Sequence, residues 1–313
     1  MKNTILNTIG NTPLVKLQKI VPATSASVYV KLEYFNPTGS YKDRMALAMI
    51  EEAEARGELR KGMTVVEYTG GSTGSSLAFI CAVKGYAFRV VSSDAYAQEK
   101  LSTMKVFGAD LEIVPSENQK ITKDLLPKMI AKAHEIAASP NSYFTDQFNN
   151  RDELLGYAKI GQELLTQVPE PIDVFCGAVG TAGMLMGVAH SFEKHNIDLV
   201  AFEPASSAVI STGVAGTHSV EGIGVGFVPP LLVRERLKEV RAVEEKEAKA
   251  MAKKLAQEEG IFAGTSTGLN VVGALQLARE LGRGHTVVTV ACDSGLKYLN
   301  GDLYKEENSL SRK

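Results

Sequence analysis

Apolar positions along this chain alternate between two patterns. Short runs rich in β-branched residues recur, and each is followed by a longer segment with apolar residues three or four apart. "ASVYVKLE" reads as a strand and "SYKDRMALAMIEEAEARG" as a helix. "MTVVEYT" leads to helical "STGSSLAFICAVKG", "FRVVSS" to "AQEKLSTMKVFG", and "DLEIVPS" to "TKDLLPKMIAKAHEIAAS". Farther on, "DVFCGAV" precedes helical "TAGMLMGVAHSFEKH", and the strand "DLVAFEP" follows. Two late helices, "EKEAKAMAKKLAQEEG" and "STGLNVVGALQLARELG", lead into a buried strand, "TVVTVACD". This repetition predicts an α/β fold of parallel sheets covered by helices. Residues 140–151, "PNSYFTDQFNNR", read as the crossover between two α/β units. Residues 206–230 are glycine-rich and aperiodic, and so long a loop in a compact domain is usually functional.

A length of 313 residues suffices for two domains. A net charge of -2, with no Lys/Arg block interleaved with aromatics, sets nucleic acid aside as a partner. No apolar run reaches membrane-spanning length, so no membrane is expected, and "MKNTILNTIGNTPLVKL" is too polar for a signal peptide. Cys81, Cys176 and Cys292 lie far apart without a CxxC pair, which points away from a disulfide framework or zinc knuckle and toward a reducing cytoplasm. His134, His190, His195, His218 and His285 lack ligand spacing, so no metal is expected.

The chemistry concentrates at two glycine-rich turns between strands and helices, "TGGSTGSS" (69–76) and "GAVGTAG" (177–183). At such junctions backbone amides and the helix dipole point at an anion, and glycines let the backbone come close. Neither turn ends like a P-loop. A turn used only for tight strand-helix packing is the competing reading of each. The second, with Glu203 twenty residues after Gly183, also mimics a dinucleotide site, against which stands a valine where the pyrophosphate must approach. "GTSTG" (264–268) fits the Gly-x-Ser-x-Gly pattern without an evident triad order.

Lys42 poses a further question. It falls just past the turn in "NPTGSYKDRMA", in the first turn of a helix, where the dipole disfavours a cation. Either it is a solvated lysine paired with Asp43, or it works as a neutral amine or an imine. Two anion cups and a turn-borne lysine suit a ligand with two anionic ends and an aldehyde. Pyridoxal phosphate carrying an amino acid fits that description.

Taken together, "IGNTPLVKL", "KLEYFNPTGSYKDR", "EYTGGSTGSSLA", "DQFNN", "GAVGTAGMLMG", "VEGIGVGFVPPLL", "EEGIFAGTSTGLN" and "CDSGLKYL" resemble, in order and over nearly the whole length, the cysteine synthase (O-acetylserine sulfhydrylase) family of fold type II pyridoxal-phosphate enzymes. The resemblance implies a tryptophan synthase β-like fold of two domains, each a mostly parallel sheet flanked by helices. A smaller, mobile domain over 38–149 would grip the substrate carboxylate. A larger one, 1–37 plus 150–313, would hold the cofactor phosphate.

By the same resemblance Lys42 would carry pyridoxal 5'-phosphate as an imine and, once freed, take the substrate Cα proton. Thr69, Gly70, Gly71, Ser72, Thr73 and Gln147 would bind the substrate carboxylate. Gly177, Ala178, Val179, Gly180 and Thr181 would form the phosphate cup. Ser266 would face the pyridine nitrogen, and Gly222 and Gly224 would line the substrate side. A serine at that nitrogen makes a weaker electron sink than a carboxylate would, which favours β-elimination. The chain departs from the family in three places. Ser72 replaces an asparagine that touches the cofactor's 3'-oxygen, Ala178 and Val179 replace a threonine and a glycine of the cup, and "NNRDELLGY" replaces an Asn-Pro pattern after Gln147-Phe148.

The implied reaction makes L-cysteine from O-acetyl-L-serine, or a similar activated serine, and sulfide, through an α-aminoacrylate, in a cytoplasmic homodimer. A β-eliminase or dehydratase, or a synthase using another nucleophile, is the alternative within this cofactor class. Outside it stand a non-catalytic homologue and a nicotinamide oxidoreductase.

Overall fold

A computed structural model describes residues 3–118, 122 and 124–305. Two sheets organise it. The larger contains β1 (Leu14–Lys16), β2 (Ser27–Leu32), β7 (Val174–Ala178), β8 (Asp198–Pro204), β9 (Glu239–Val243) and β10 (Thr286–Ala291), in the order β1-β2-β10-β7-β8-β9. Only β1 runs antiparallel, pairing Leu14 with Lys31, so the N-terminal segment joins a sheet built mostly from the second half of the chain. The smaller sheet, β5-β4-β3-β6, is wholly parallel: β3 (Thr64–Tyr68), β4 (Ala87–Ser93), β5 (Asp110–Val114) and β6 (Ser142–Phe144).

The helices in chain order are α1 (Lys42–Arg56), α2 (Ser72–Lys84), α3 (Gln98–Val106), α4 (Leu125–Ala137), α5 (Glu153–Gln167), α6 (Gly183–Ser191), α7 (Val209–Thr212), α8 (Glu245–Lys254) and α9 (Thr265–Leu281). α1, α2, α5 and α6 share one continuous core, with Met45, Met49, Leu77, Tyr157, Leu164 and Val188 fully or almost fully buried. α8 and α9 cover the opposite face of the larger sheet through Ala248, Leu269, Val271 and Leu275. α4 packs Leu125, Met129, Ala133 and Ile136 against Val66 and Val91 of the smaller sheet. The central strands are buried along their whole length, as parallel sheets covered on both faces require.

The expected elements are present, joined by α5 and α7, neither of which was expected from the sequence pattern, and by three further strands. β1, β6 and β9 are short and half-buried, so they lack the apolar run that marks the central strands. β6 lies inside the segment read as a crossover. The helix read over "EKEAKAMAKKLAQEEG" ends with a π-turn at Leu255–Glu259, before Gly260 takes a left-handed φ of 70°.

Beneath the start of α1 lies a buried ionic network. Arg44 donates from Nε and Nη2 to both oxygens of Glu33 (2.7 and 2.8 Å) and from Nη1 and Nη2 to both oxygens of Glu163 (2.7 and 2.8 Å). Lys31 Nζ lies 2.6 Å from Glu163, and Thr12 donates to Glu33 at 2.7 Å. The paired bidentate geometry meets the condition under which buried charges are tolerated. It ties the N-terminal segment, β2 and α5 to the helix that carries Lys42.

Candidate active site

Lys42 opens α1 after a tight turn. Gly39 takes a φ of 72° and donates its amide to Asn36 O, reversing the chain within three residues. Asp43 does not pair with Lys42. Its carboxylate accepts from the Thr38 amide (2.8 Å) and hydroxyl (2.6 Å), pinning the turn to the helix. Lys42 is itself buried, only 7% exposed. Its Nζ sits 5.1 Å from the Tyr41 ring centre and 5.9 Å from that of Tyr157. No carboxylate oxygen among the described residues comes within 4.0 Å of it. Desolvation pulls its pKa down; Glu153, Cys292, Glu67 and Asp293 act in the other direction. The solvated-lysine reading therefore fails, and a buried amine biased toward neutrality takes its place.

Lys42 lies on the wall of a cavity of about 1070 Å³ between the two sheets. Thr69, Gly70, Gly71, Ser72, Thr73, Gln147, Gly180, Thr181, Gly222, Gly224 and Ser266 line the same space. The first glycine turn is held from outside. A Cβ on Gly70 would fall 2.3 Å from the Tyr96 ring, and one on Gly71 2.4 Å from Lys100 Cδ. Thr73 donates to Gln147 Oε1 at 2.8 Å, and Gln147 Nε2 donates to Tyr68 O at 2.9 Å. These two polar side chains, 74 positions apart, thus meet beside the first-turn amides of α2, which have no intrahelical acceptor.

The second glycine turn is displaced from its expected register. Gly177 and Ala178 are the last residues of β7 and do not line the cavity. The Ala178 amide donates to Asn270 Oδ1 (2.7 Å) and that of Val179 to Phe202 O (3.0 Å), so neither is free for a ligand. Of the five residues expected to form a cup, Gly180 and Thr181 reach the cavity. The turn continues through Ala182, at φ 72°, into α6 at Gly183. A Cβ on Gly180 would lie 2.3 Å from Gly222 O, and Gly224 donates to Val179 O, so the 220–224 loop braces this turn.

Several residues here have no counterpart among those expected from sequence. Glu153 is fully buried against the start of α6. It accepts from the Thr181 hydroxyl at 2.7 Å through Oε1, its Oε2 has no partner among the described residues, and burial pushes it up to about 7. Glu67, equally buried, is pushed up to about 8 despite accepting from Thr145 and the Tyr68 and Gln147 amides. Asp293 accepts through Oδ2 from Tyr298 (2.7 Å) and Ser72 (3.2 Å), while its Oδ1 has no partner among the described residues. Lys297, lowered to about 8 by desolvation, donates to Ser72 Oγ at 3.3 Å. Lys100 pairs with Glu221 at 2.5 Å. Cys292, a thiol held at about 12, adjoins Ser266. Among the described residues no cluster of His, Cys, Asp and Glu could hold a metal ion, and no helix is long and apolar enough to cross a membrane.

The family model for pyridoxal-phosphate dependent enzymes matches residues 5–293. The chain belongs to that family. It is 42% identical over 304 residues to a cysteine synthase of Staphylococcus aureus, covering 96% of each chain. Its fold is similar to O-ureido-L-serine synthase, at TM-score 0.92 and 34% identity over 100% of this chain and 98% of the other. It is similar also to the cysteine synthase of Entamoeba histolytica, at TM-score 0.91 and 31% identity over 99% and 93%. The dinucleotide reading of "GAVGTAG" is thereby set aside. Glu203 instead accepts from the amides of Ile210 and Ser211, holding the loop that follows β8.

Proposed function

We propose that this enzyme replaces the β-substituent of an activated L-serine, converting O-acetyl-L-serine and sulfide to L-cysteine and acetate with pyridoxal 5'-phosphate as cofactor. The observation that carries the reading is Lys42: buried, without a counter-ion among the described residues, and facing a cavity between two helix N-termini. The residues present fit the cofactor. A phosphate suits the turn at Gly180, Thr181, Ala182 and Gly183, where Gly180 and Thr181 reach the cavity and the first-turn amides of α6 have no intrahelical acceptor. When bound, the cofactor supplies an aldehyde for an amine to condense with and a ring that draws electrons from the substrate's Cα.

The chain's own groups do the rest. Thr73, Gln147 and the first-turn amides of α2 hold the α-carboxylate, with Thr69 beside them, and Gly70 and Gly71 leave room for Tyr96 and Lys100 to pack on the turn. Ser72, tethered by Asp293 and Lys297, would serve the cofactor's 3'-oxygen. Ser266 would offer the ring nitrogen an uncharged hydroxyl. Gly222 and Gly224 line the substrate side. Lys42 Nζ, kept toward its neutral form by burial, takes the Cα proton. Glu153, held at about 7, lies buried behind that turn, accepts from Thr181 and is a neutral acid on the low-pH side of that value.

The unit over 38–149 would close on the substrate against 1–37 plus 150–313, and two chains would form a homodimer in the cytoplasm. The test measures acetate and cysteine from O-acetylserine and sulfide, with O-phosphoserine, serine and threonine in parallel. Acetate release that disappears in Lys42→Ala, with circular dichroism unchanged, supports the assignment. Undiminished turnover by that variant overturns it.

A further inference from the structure

One wall of the cavity is apolar. The cavity measures about 1070 Å³, at the top of the usual range for small-molecule sites, about 300–1,000 Å³, and takes the cofactor and the amino acid as well as the nucleophile. Sulfide is a single heavy atom, fills about the space of one water and needs no apolar wall. The cleft is not gaping. Lys100 meets Glu221 at 2.5 Å, Ser72 meets Asp293 at 3.2 Å, and the Phe148 and Phe227 rings lie 5.3 Å apart, so contacts already span it.

α4 explains the wall. One row of its residues, Leu125, Met129, Ala133 and Ile136, is buried against the smaller sheet. The adjacent row, Leu126, Ile130 and His134, lines the cavity; its first two residues are apolar and half-buried, where a face turned only to water would be polar, and it ends in the exposed His134. Facing it are Tyr68 and Phe148, stacked at 6.1 Å, with Val225 and Phe227. Leu126, Ile130 and these four residues, which form the lobe, include no charged side chain.

We infer that the lobe receives the body of the second substrate, and that this enzyme's preferred nucleophile is a thiol bearing an apolar alkyl or aryl group rather than sulfide alone. The inference rests on the β-replacement reading and narrows its substrate class. In the reaction the Cβ–O bond of O-acetylserine breaks and acetate leaves with the electron pair. The S–H bond of the thiol breaks, sulfur forms the new Cβ–S bond, and the proton passes to solvent, with no change in oxidation state. The Cα proton, removed earlier, is returned. The product is an S-substituted L-cysteine.

The test uses the holoenzyme with O-acetylserine and a series of ethanethiol, propanethiol and butanethiol, whose thiol acidities are alike, with sulfide and the charged 2-mercaptoethanesulfonate for comparison. Products are quantified by mass spectrometry. Each added methylene should raise kcat/KM about fourfold, and butanethiol should exceed the sulfonate at least tenfold. Ile130→Asp, at a half-buried helix position, should flatten the series and lower the butanethiol-to-sulfide ratio at least tenfold. A binding arm uses butyl methyl thioether, which cannot react, and reads saturation transfer by NMR in wild type and Ile130→Asp. A flat alkyl series beside efficient sulfide use overturns the inference and leaves β-replacement standing. Absence of acetate release overturns β-replacement instead. Thioether binding then decides the lobe: transfer lost in Ile130→Asp supports it, and no transfer in wild type overturns it.

Discussion

Replacing Glu153 by glutamine isolates the electrostatics of the candidate site. The carboxylate is fully buried, shares one hydrogen bond with Thr181 and leaves Oε2 unpartnered. Burial raises it from 4.5 to about 7, against the opposing influence of Lys42. The folded protein therefore keeps a proton that the unfolded chain has released between those two values. Stability falls as pH rises through this window, and the penalty is complete above about 7. At 1.36 kcal/mol per pKa unit, the full penalty is about 3 kcal/mol. Glutamine keeps an acceptor for the Thr181 hydroxyl and carries no charge at any pH. Urea unfolding of the cofactor-free protein at pH 5 and pH 8.5 measures the effect. Wild type should lose about 3 kcal/mol more than Glu153→Gln between the two conditions. Glu67, held at about 8, adds its own slope to both proteins and cancels in the comparison. An ionised Glu153 also opposes a phosphate at the start of α6, so wild-type cofactor affinity should fall from pH 6 to pH 8.5 more than that of the variant. Equal pH slopes in stability for the two proteins would refute the reasoning.

Arg44→Met leaves Glu33 and Glu163 without their guanidinium and should cost about 3–5 kcal/mol in urea unfolding; a loss below about 1 kcal/mol would show that the network is not stabilising. Gly70→Ala places a methyl 2.3 Å from the Tyr96 ring, and should raise KM for the amino-acid substrate at least tenfold with the melting temperature within a few degrees; an unchanged KM would place the substrate elsewhere. Thr73→Ala removes the donor to Gln147 and should weaken substrate affinity by about 1–2 kcal/mol; unaltered affinity would mean that the first glycine turn does not hold the carboxylate.

Much of this was legible in the sequence because the chemistry sits at strand-helix junctions, where glycines and hydroxyls cluster over a few positions. Lys42, Thr69–Thr73 and Ser266 fall in such clusters and line the cavity. The second turn was legible as a turn but not in register. β7 runs on through Gly177 and Ala178, and only the hydrogen bonds to Asn270 and Phe202 reveal that those amides are occupied. Asp293, Lys297 and Ser72 meet across more than 200 positions, and Lys100 meets Glu221 across 121. No local pattern marks such pairs, because two separate sheets create them. Glu153 lies within "NNRDELLGY", where no helix was expected. Its burial depends on α6 and Thr181 closing over it. The short edge strands β1, β6 and β9 escaped for a related reason: each pairs along one side only, and so needs no continuous apolar run.

The central claim is that Lys42 is the amine on which the cofactor is held. It is tested most directly by incubating the protein with pyridoxal 5'-phosphate, reducing with borohydride, and mapping the modified peptide by mass spectrometry. The account predicts one pyridoxyl phosphate per chain, on Lys42, and none in Lys42→Ala. Modification of Lys100, Lys297 or any other lysine in place of Lys42, or no covalent attachment at all, would contradict it.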